Sequence, residues 1–200
     1  PFFNNTFDNG LYGYGLCVGY APKEEREFCI VVNQGSTTNQ VQVAYRNAFT
    51  ATRYTRNSGW IKTNINLRTS FDRGVGYSGS GANANANIAT CTLDNGSCLV
   101  FVQYNGDIDV YSTDNASTWK LIAQNIVGRF TDFDDNRYAV YSQLQCAASG
   151  NFVKVSWCRL VTSSYTVSFN VFGEIVEQTY TSNGYVVTTM TSSDRGLTWQ

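Results

Sequence analysis

An eight-residue pattern occurs twice in this 200-residue chain and constrains its fold more than any other feature. Residues 112–119 read STDNASTW and residues 192–199 read SSDRGLTW, so that Ser, Asp, Thr and Trp recur at the same spacing. The Asp carboxylate can accept hydrogen bonds from the backbone of its own turn, and the Trp ring can enter a core between sheets. Each copy therefore predicts a rigid turn that leads into a strand.

The rest of the chain is typical of a β-protein. Apolar and polar residues alternate over short runs, helical periodicity is almost absent, and aromatic residues make up 14% of the chain. Asn-Gly pairs at residues 95–96, 105–106 and 183–184 predict tight hairpins, because both residue types tolerate positive φ. The sequence predicts an all-β domain over residues 1–200, either whole or as part of a longer chain.

The alternating segments can be aligned on three tryptophans, which reveals an internal repeat of irregular length. Trp60, Trp119 and Trp199 each follow a strand, a turn, a second strand and a polar loop. Repeated four-stranded antiparallel meanders are typical of β-propeller blades, because a single blade cannot bury its faces alone. We therefore expect a β-propeller or a propeller fragment.

The repeated octapeptide resembles the Asp-box, or bacterial neuraminidase repeat, of sialidases and other propeller families. Those families carry it between the third and fourth strands of a blade, away from the active centre, so the resemblance implies a structural role. The second copy matches at all five positions, whereas Ala116 replaces the glycine of the first copy. The positions implied are Ser112, Asp114, Thr118, Trp119, Ser192, Asp194, Gly196, Thr198 and Trp199.

For a sialidase, the resemblance also implies an arginine triad that grips a sugar carboxylate, a Tyr nucleophile with a Glu partner, and an acid/base Asp. In sialidases the acid/base Asp lies near an Arg-Ile-Pro motif in the first blade. The most similar segment of this chain is AYRNAF, residues 44–49, which makes Arg46 the candidate catalytic-site residue. Asn47 and Ala48 replace the Ile and Pro of that motif, so Arg46 is equally typical of a surface strand. Glu174 and Glu177 are two further carboxylates that can flank a cleft or lie in solvent.

Because the sialidase motifs are missing, recognition is favoured over catalysis. The expected function is a non-catalytic recognition module, secreted or on a surface, that binds a glycan or a surface protein. Two alternatives stay open: a sialidase-type glycoside hydrolase, and a self-associating scaffold of a secreted filament or matrix.

The cysteines and the glycosylation sequons indicate an extracellular protein. Six cysteines bracket three turn signals, and pairing nearest neighbours predicts one disulfide across each hairpin, although six cysteines allow fifteen connectivities. The alternative is a set of reduced, buried thiols. Asn-x-Ser/Thr sequons add weight to a secreted location. The cysteines are Cys17 with Cys29, Cys91 with Cys98, and Cys146 with Cys158, and the sequons are Asn4, Asn95 and Asn115.

Composition excludes several other classes of function. The chain has no histidine, which excludes histidine triads and zinc–histidine sites. Its net charge is -1 and it has no basic run, so nucleic acid is not an expected partner, and no apolar stretch is long enough to insert in a membrane. Asp132, Asp134 and Asp135 have a spacing that can bind calcium, but they are more typical of a hairpin turn, and no cofactor is expected. Asp107 and Asp109 are expected to face solvent.

Overall fold

The computed structural model describes residues 13–33, 40–48, 60–66, 88–104, 107–127 and 144–200. Within these ranges the chain forms three antiparallel sheets. Sheet 1 contains β1 (Gly13–Ala21), β2 (Arg26–Asn33), β3 (Gln40–Asn47) and β4 (Ile61–Asn66), with a 3-10 turn at Pro22–Glu24. Sheet 2 contains β5 (Ile88–Thr92), β6 (Cys98–Tyr104), β7 (Asp107–Thr113) and β8 (Lys120–Ala123). Sheet 3 contains β9 (Gln145–Ser149), β10 (Phe152–Val171) and β11 (Glu174–Ser192).

The prediction of an all-β fold made of antiparallel meanders is confirmed. In each sheet the strands lie in chain order, and each strand pairs with the next one antiparallel. Two of the sheets have four strands and the third has three. Across the part of the chain that the structure describes, the sheets do not close into a ring.

Sheet 2 lies between the other two sheets and is buried on both faces. Successive residues of β6 point alternately into two cores, so that Val100 faces sheet 1 and Leu99 faces sheet 3. The continuous apolar sequence CLVFV of β6 is what such a strand requires, because neither face can carry polar side chains. Core 1, between sheets 1 and 2, contains Phe28, Ile30, Val43, Ile65, Val100, Val102 and Tyr111. Core 2, between sheets 2 and 3, contains Leu99, Phe101, Ile108, Val110, Val153, Val155 and Trp157.

The three sheets stack in the same orientation. Their first strands, β1, β5 and β9, lie side by side, and the turns that follow these strands meet at one end of the fold. There the side chain of Lys23 packs against Gly96, and the backbone N–H of Gly150 donates to the Asp94 carboxylate at 2.9 Å. We call this end of the fold the turn end.

Gly19 is required by the close packing inside sheet 1. It lies directly opposite Phe28 in the β1–β2 pair, and a Cβ atom at Gly19 would come within 2.3 Å of the Phe28 ring. The ring therefore lies across β1 at a position where only glycine leaves room for it.

The predicted hairpin disulfides are absent, since Cys17, Cys29, Cys91, Cys98 and Cys146 are free thiols. The strand register explains the error. Cys17 pairs with Ile30 and Cys91 pairs with Leu99, so each cysteine is one residue out of register with its predicted partner. Because side chains one residue apart in a pair point to opposite faces of the sheet, the thiols cannot meet. The free thiol of Cys146 excludes the third pair as well, and the side chain of Cys158 lies outside the described residues.

The thiols behave as buried apolar groups. Burial raises the pKa of Cys17 to about 12 and that of Cys29 to about 11. Cys91 and Cys146 meet in core 2, where their mutual hydrogen bond lowers the pKa of Cys91 and raises the pKa of Cys146. Reduced thiols, the alternative considered above, are therefore the state that the structure contains.

The expectation that Asp109 faces solvent is wrong. Its side chain is 2% exposed, on β7 of the central sheet, and its carboxylate accepts the backbone N–H of Asn125 at 3.0 Å. The carboxylate thereby holds the chain as it leaves β8. The side chain of Asp107 lies outside the described residues.

The hairpin of β10 and β11 continues well beyond sheet 3. Strand β9 pairs with β10 only over residues 152–156, whereas β10 and β11 pair with each other from Val153–Ser192 to Val171–Glu174. Residues 163–182 form the free end of this hairpin, which we call the arm. At about 3.3 Å per residue, the arm is about 30 Å long. It points away from the turn end, because it is the connection between the second and third strands of its sheet.

Among the described residues, no helix is long and apolar enough to cross a membrane.

Candidate functional site

The two octapeptides occupy loops at the turn end, and the second copy shows the geometry most fully. The Asp194 carboxylate accepts hydrogen bonds from the backbone N–H of Leu197 at 3.1 Å and of Thr198 at 2.8 Å. It also accepts the hydroxyls of Thr198 at 2.6 Å and Ser192 at 2.7 Å. Ser192 in turn accepts the backbone N–H of Gly196, whose φ of 90° suits glycine. A single carboxylate therefore closes the whole loop.

In the first copy, Thr113 and Asn115 perform these roles instead of Ser112 and Asp114. The Asn115 side-chain oxygen accepts the backbone N–H of Ser117 and of Thr118, both at 2.9 Å, and the Thr118 hydroxyl at 3.1 Å. Thr113 accepts the backbone N–H of Ala116 at 2.9 Å, as Ser192 accepts that of Gly196. The assignment of Ser112 and Asp114 to the turn is therefore corrected by one residue.

The shift arises because the first loop is one residue shorter between its hydroxyl residue and its Thr-Trp end. Thr113 takes the place of Ser192, and Asn115 takes the place of Asp194. Ala116 has a φ of 58° and is fully buried, so this copy contains the positive φ without a glycine. An amide oxygen accepts the same hydrogen bonds as a carboxylate oxygen, which is why the turn survives the replacement.

Each tryptophan of the octapeptides joins two neighbouring sheets. Trp119 meets Phe28 of sheet 1 edge-on at 5.5 Å between ring centroids, and Trp199 meets Phe101 of sheet 2 in the same manner at 5.6 Å. Both phenylalanines lie on the second strand of the preceding sheet. The octapeptides are therefore joints between sheets, which is a structural role.

Asp114 does not close the octapeptide turn but forms a polar contact between sheets 1 and 2. Its carboxylate accepts hydrogen bonds from Lys23 at 2.8 Å and from the Ser97 hydroxyl at 2.6 Å. The hydrogen bond from Lys23, followed by that from Ser97, lowers the pKa of Asp114. The ion pair is largely exposed, so we expect it to contribute little to stability.

Arg46 lies in a cluster of its own on the outer side of sheet 1. Its guanidinium donates to the Glu27 carboxylate on the neighbouring strand and stacks on the Trp60 ring, 4.6 Å from the centroid. Only 15% of the Arg46 side chain is exposed. Because Glu27 already neutralises it, Arg46 is not arranged to grip the carboxylate of a sugar.

The remaining predicted sites are dispersed or lie outside the described residues. Asn95 is exposed in the β5–β6 turn, where its side-chain oxygen accepts a hydrogen bond from the backbone N–H of Ser97 at 3.0 Å. The Asn115 side chain is likewise engaged in its own loop. Asn4 and the acidic residues Asp132, Asp134 and Asp135 lie outside the described residues. Over the described ranges, no three His, Cys, Asp or Glu side chains group closely enough to hold a metal ion.

The arm is a feature that the sequence reasoning missed. Along β10, residues 165, 167, 169 and 171 are apolar and alternate with Thr166, Ser168 and Asn170. This alternation, four repeats long and followed by a Phe-Gly turn, is the sequence pattern that could have indicated an extended hairpin. The same sequence, however, equally predicts an ordinary pair of strands within a sheet.

The arm is amphipathic, and its apolar face is exposed. On this face the Tyr165 and Tyr180 rings are stacked at 5.4 Å, and Phe169 pairs with Val176. Tyr165 is 58% exposed and Phe169 is 41% exposed. The opposite face carries mainly hydroxyl groups, including the Thr166–Thr179 hydrogen bond at 3.0 Å, together with Ile175 near the tip, which is 74% exposed. A strand pattern of this kind normally has its apolar face covered.

The tip of the arm has an unusual backbone. Phe172 has a φ of 54° and Gly173 a φ of 90°, which is a two-residue turn with both angles positive. A bulky residue is rare in this conformation, and the Phe172 side chain is fully exposed. An exposed phenylalanine in an unfavourable backbone conformation favours a contact role for the tip.

Glu174 and Glu177 both lie on the arm, on opposite faces of it, and they do not flank a cleft together.

Comparison of the chain with protein-family models, with curated proteins and with solved structures finds no match.

We predict that Asn115→Ala destabilises the protein more than Asp114→Ala. Loss of the Asn115 oxygen leaves two backbone N–H groups and one hydroxyl without their acceptor, which we expect to cost about 1–2 kcal/mol. Loss of the exposed Asp114 carboxylate should cost less than about 1 kcal/mol. Urea unfolding of both variants measures the difference, and a larger cost for Asp114→Ala would show that the turn is closed by Asp114 after all.

The second loop should lose stability in acid. The Thr198 hydroxyl, the Thr198 N–H and then Ser192 lower the pKa of Asp194 from 3.8 to about 2. Because the folded pKa is depressed, the contribution of Asp194 is fully present above pH 4 and is lost as the pH falls towards 2. The gap in unfolding free energy between wild type and Asp194→Asn should therefore narrow from pH 4 to pH 2. Glu177→Gln, which removes an exposed carboxylate from the arm, serves as the control, and an equal narrowing for it would contradict the prediction.

Proposed function

We propose that this chain is a non-catalytic recognition module that binds its partner through the arm. The observation that carries the proposal is the exposed apolar face of residues 163–182, since apolar patches of this kind mark interaction surfaces in soluble proteins. The arm projects from sheet 3, so a partner can reach the apolar face without disturbing either core.

The arrangement of Arg46 supports binding rather than hydrolysis. A glycosidase needs a pair of reactive side chains facing a common cleft, and a sialidase needs arginines free to bind a carboxylate. Arg46 is instead paired with Glu27 and stacked on Trp60.

We propose further that the three sheets are consecutive blades of a sialidase-like propeller. The support is the repeated geometry: equal strand order, first strands side by side, and a Trp–Phe joint between each sheet and the one before it. The resemblance of residues 192–199 to the Asp-box agrees with this arrangement, because that motif connects the third and fourth strands of a blade.

A location on an extracellular surface is part of the proposal and now rests on the sequons alone. Asn95 is exposed in a turn, where a glycan would meet no obstacle from its own sheet. The free thiols remove disulfides as a second reason for a secreted location.

The partner is a protein surface or a glycan, and each is favoured by a specific observation. The apolar side chains Phe169, Val171 and Val176 match a protein surface, which can cover them with its own apolar groups. The Tyr165–Tyr180 stack, with rings 19° from parallel, is an exposed aromatic group whose outer ring faces can contact the apolar face of a sugar ring.

The exposed face should bind 1-anilinonaphthalene-8-sulfonate, a dye whose fluorescence reports accessible apolar surface. We expect Phe169→Glu to lower the fluorescence and Ser164→Glu to leave it unchanged, because residues 164 and 169 lie on opposite faces of the arm. The measurement uses dilute protein, so that self-association does not cover the face. Equal fluorescence for wild type and Phe169→Glu would contradict the proposal.

Sialyllactose separates binding from hydrolysis. We expect an NMR time course at neutral pH to show no free sialic acid, because Arg46 is neutralised by Glu27. For the glycan candidate, saturation transfer to the sugar should be lost in Tyr165→Ala and kept in Thr166→Ala, which lies on the opposite face. Release of sialic acid that disappears in Arg46→Ala would overturn the non-catalytic assignment.

A further inference from the structure

We propose that the partner of the arm's apolar face is a second copy of this chain, bound face to face and antiparallel. The inference rests on the proposed function, since it names the occupant of the same surface. It depends on the order of side chains along the arm, which makes the face complementary to itself.

The strand register arranges the apolar face in four cross-strand rows. From the base of the arm to its tip, the rows are Tyr165 with Tyr180, Val167 with Gln178, Phe169 with Val176, and Val171 with Glu174. The first row holds two large rings, and the last row holds a valine and the carboxylate. The two ends of the face therefore differ in size and charge.

Two copies can meet on this face in two symmetric ways. If the arms ran parallel, the twofold axis would lie along them and each row would face itself with its two strands exchanged, so that Glu174 would lie opposite Val171 of the other copy. Both Glu174 carboxylates would then share one row of the contact, where they repel each other and lose hydration against valine. The parallel arrangement is therefore disfavoured.

The antiparallel arrangement removes this conflict. The row of Val171 and Glu174 then faces the row of Tyr165 and Tyr180 in the other copy. The Tyr180 hydroxyl already donates to Gln178 at 3.0 Å, which leaves the Tyr165 hydroxyl of that row to donate to the carboxylate. The small valine also leaves room for the large rings. In the middle of the face, the row of Val167 meets the row of Phe169. A twofold axis between these two rows therefore brings each row opposite a matching row of the other copy, as an isologous contact requires.

The size of the face limits the strength of the contact. A whole aromatic side chain buries about 150–250 Å². The exposed fractions of the more accessible apolar residues of this face lie between 38% for Tyr180 and 58% for Tyr165, and Val167 is less exposed. The two copies together would bury on the order of 1,000 Å², which is the lower end for a specific interface. We therefore expect a reversible dimer with a dissociation constant of about 1–100 µM.

Sedimentation velocity and light scattering from about 1 to about 300 µM, a range that brackets this affinity, test the proposal. We expect wild type to pass from monomer to dimer and to stop at the dimer. Phe169→Glu should weaken dimerisation more than about 100-fold, because it buries an unpaired charge. Ser164→Glu, which lies on the polar face opposite Thr181, should dimerise as wild type does.

A second pair of variants guards against misfolding at position 169. Val171→Asp alters the apolar face, whereas Asn170→Asp alters the polar face and keeps the oxygen that accepts the Gly173 N–H at 3.0 Å. Near-ultraviolet circular dichroism of all four variants should match that of wild type. Only Phe169→Glu and Val171→Asp should stay monomeric.

Three outcomes would overturn the inference: a wild type that stays monomeric over the whole range, dimers that the polar-face variants abolish equally, or an open-ended series of larger species. The last would indicate pairing through the free strand edges of the arm instead of its face. A monomer that still binds the dye in the manner described above would reject the second copy as partner and leave the recognition function standing. A monomer with no dye response would reject both.

Discussion

The burial of sheet 2 on both faces is the constraint on which the described structure depends. Strand β6 places Val100 in one core and Leu99 in the other, both without exposure to solvent. Neither sheet 1 nor sheet 3 could cover this strand alone, because a sheet has two faces and each neighbour reaches only one of them. Both outer sheets therefore pack on sheet 2, one on each face, and this packing places sheets 1 and 3 on opposite sides of it.

The octapeptide loops make this stacking regular. Trp119 and Trp199 each leave their own sheet and place a ring against a phenylalanine on the second strand of the preceding sheet. Their loops must hold a fixed shape for the ring to arrive there, and the hydrogen bonds to Asn115 and Asp194 provide that shape. The same joint is thus built twice with different acceptors. The arm does not take part in this repeated arrangement, because it projects from sheet 3 at the end opposite the octapeptide loops.

Much of the fold could be predicted from the sequence, but the chemistry within it was harder to predict. Alternation and the Asn95-Gly96 turn identified the meanders, since these are local properties that short peptides already express. The hairpin predicted at Asn183-Gly184 is wrong, because both residues lie within β11 and pair with Thr162 and Val161 of β10. Residues 105–106 lie outside the described residues. The cysteine pairing failed because neighbouring positions in a sequence do not reveal strand register, and a shift of one residue moves a side chain to the other face. Asp109 was expected in solvent for a related reason, since a short alternating run does not show whether its polar face will be covered by another sheet.

The sequence by itself determined the strand-rich character of the chain, the turn at Asn95-Gly96 and the two Thr-Trp loops, because hydrogen bonding within a turn and the period of a strand depend on near neighbours. Only the tertiary structure decided that Asn115 replaces Asp114, that Arg46 is neutralised by Glu27, and that the arm leaves the sheet with its apolar face exposed. These outcomes depend on register and on which surfaces meet, and both are set by packing between segments distant in the chain.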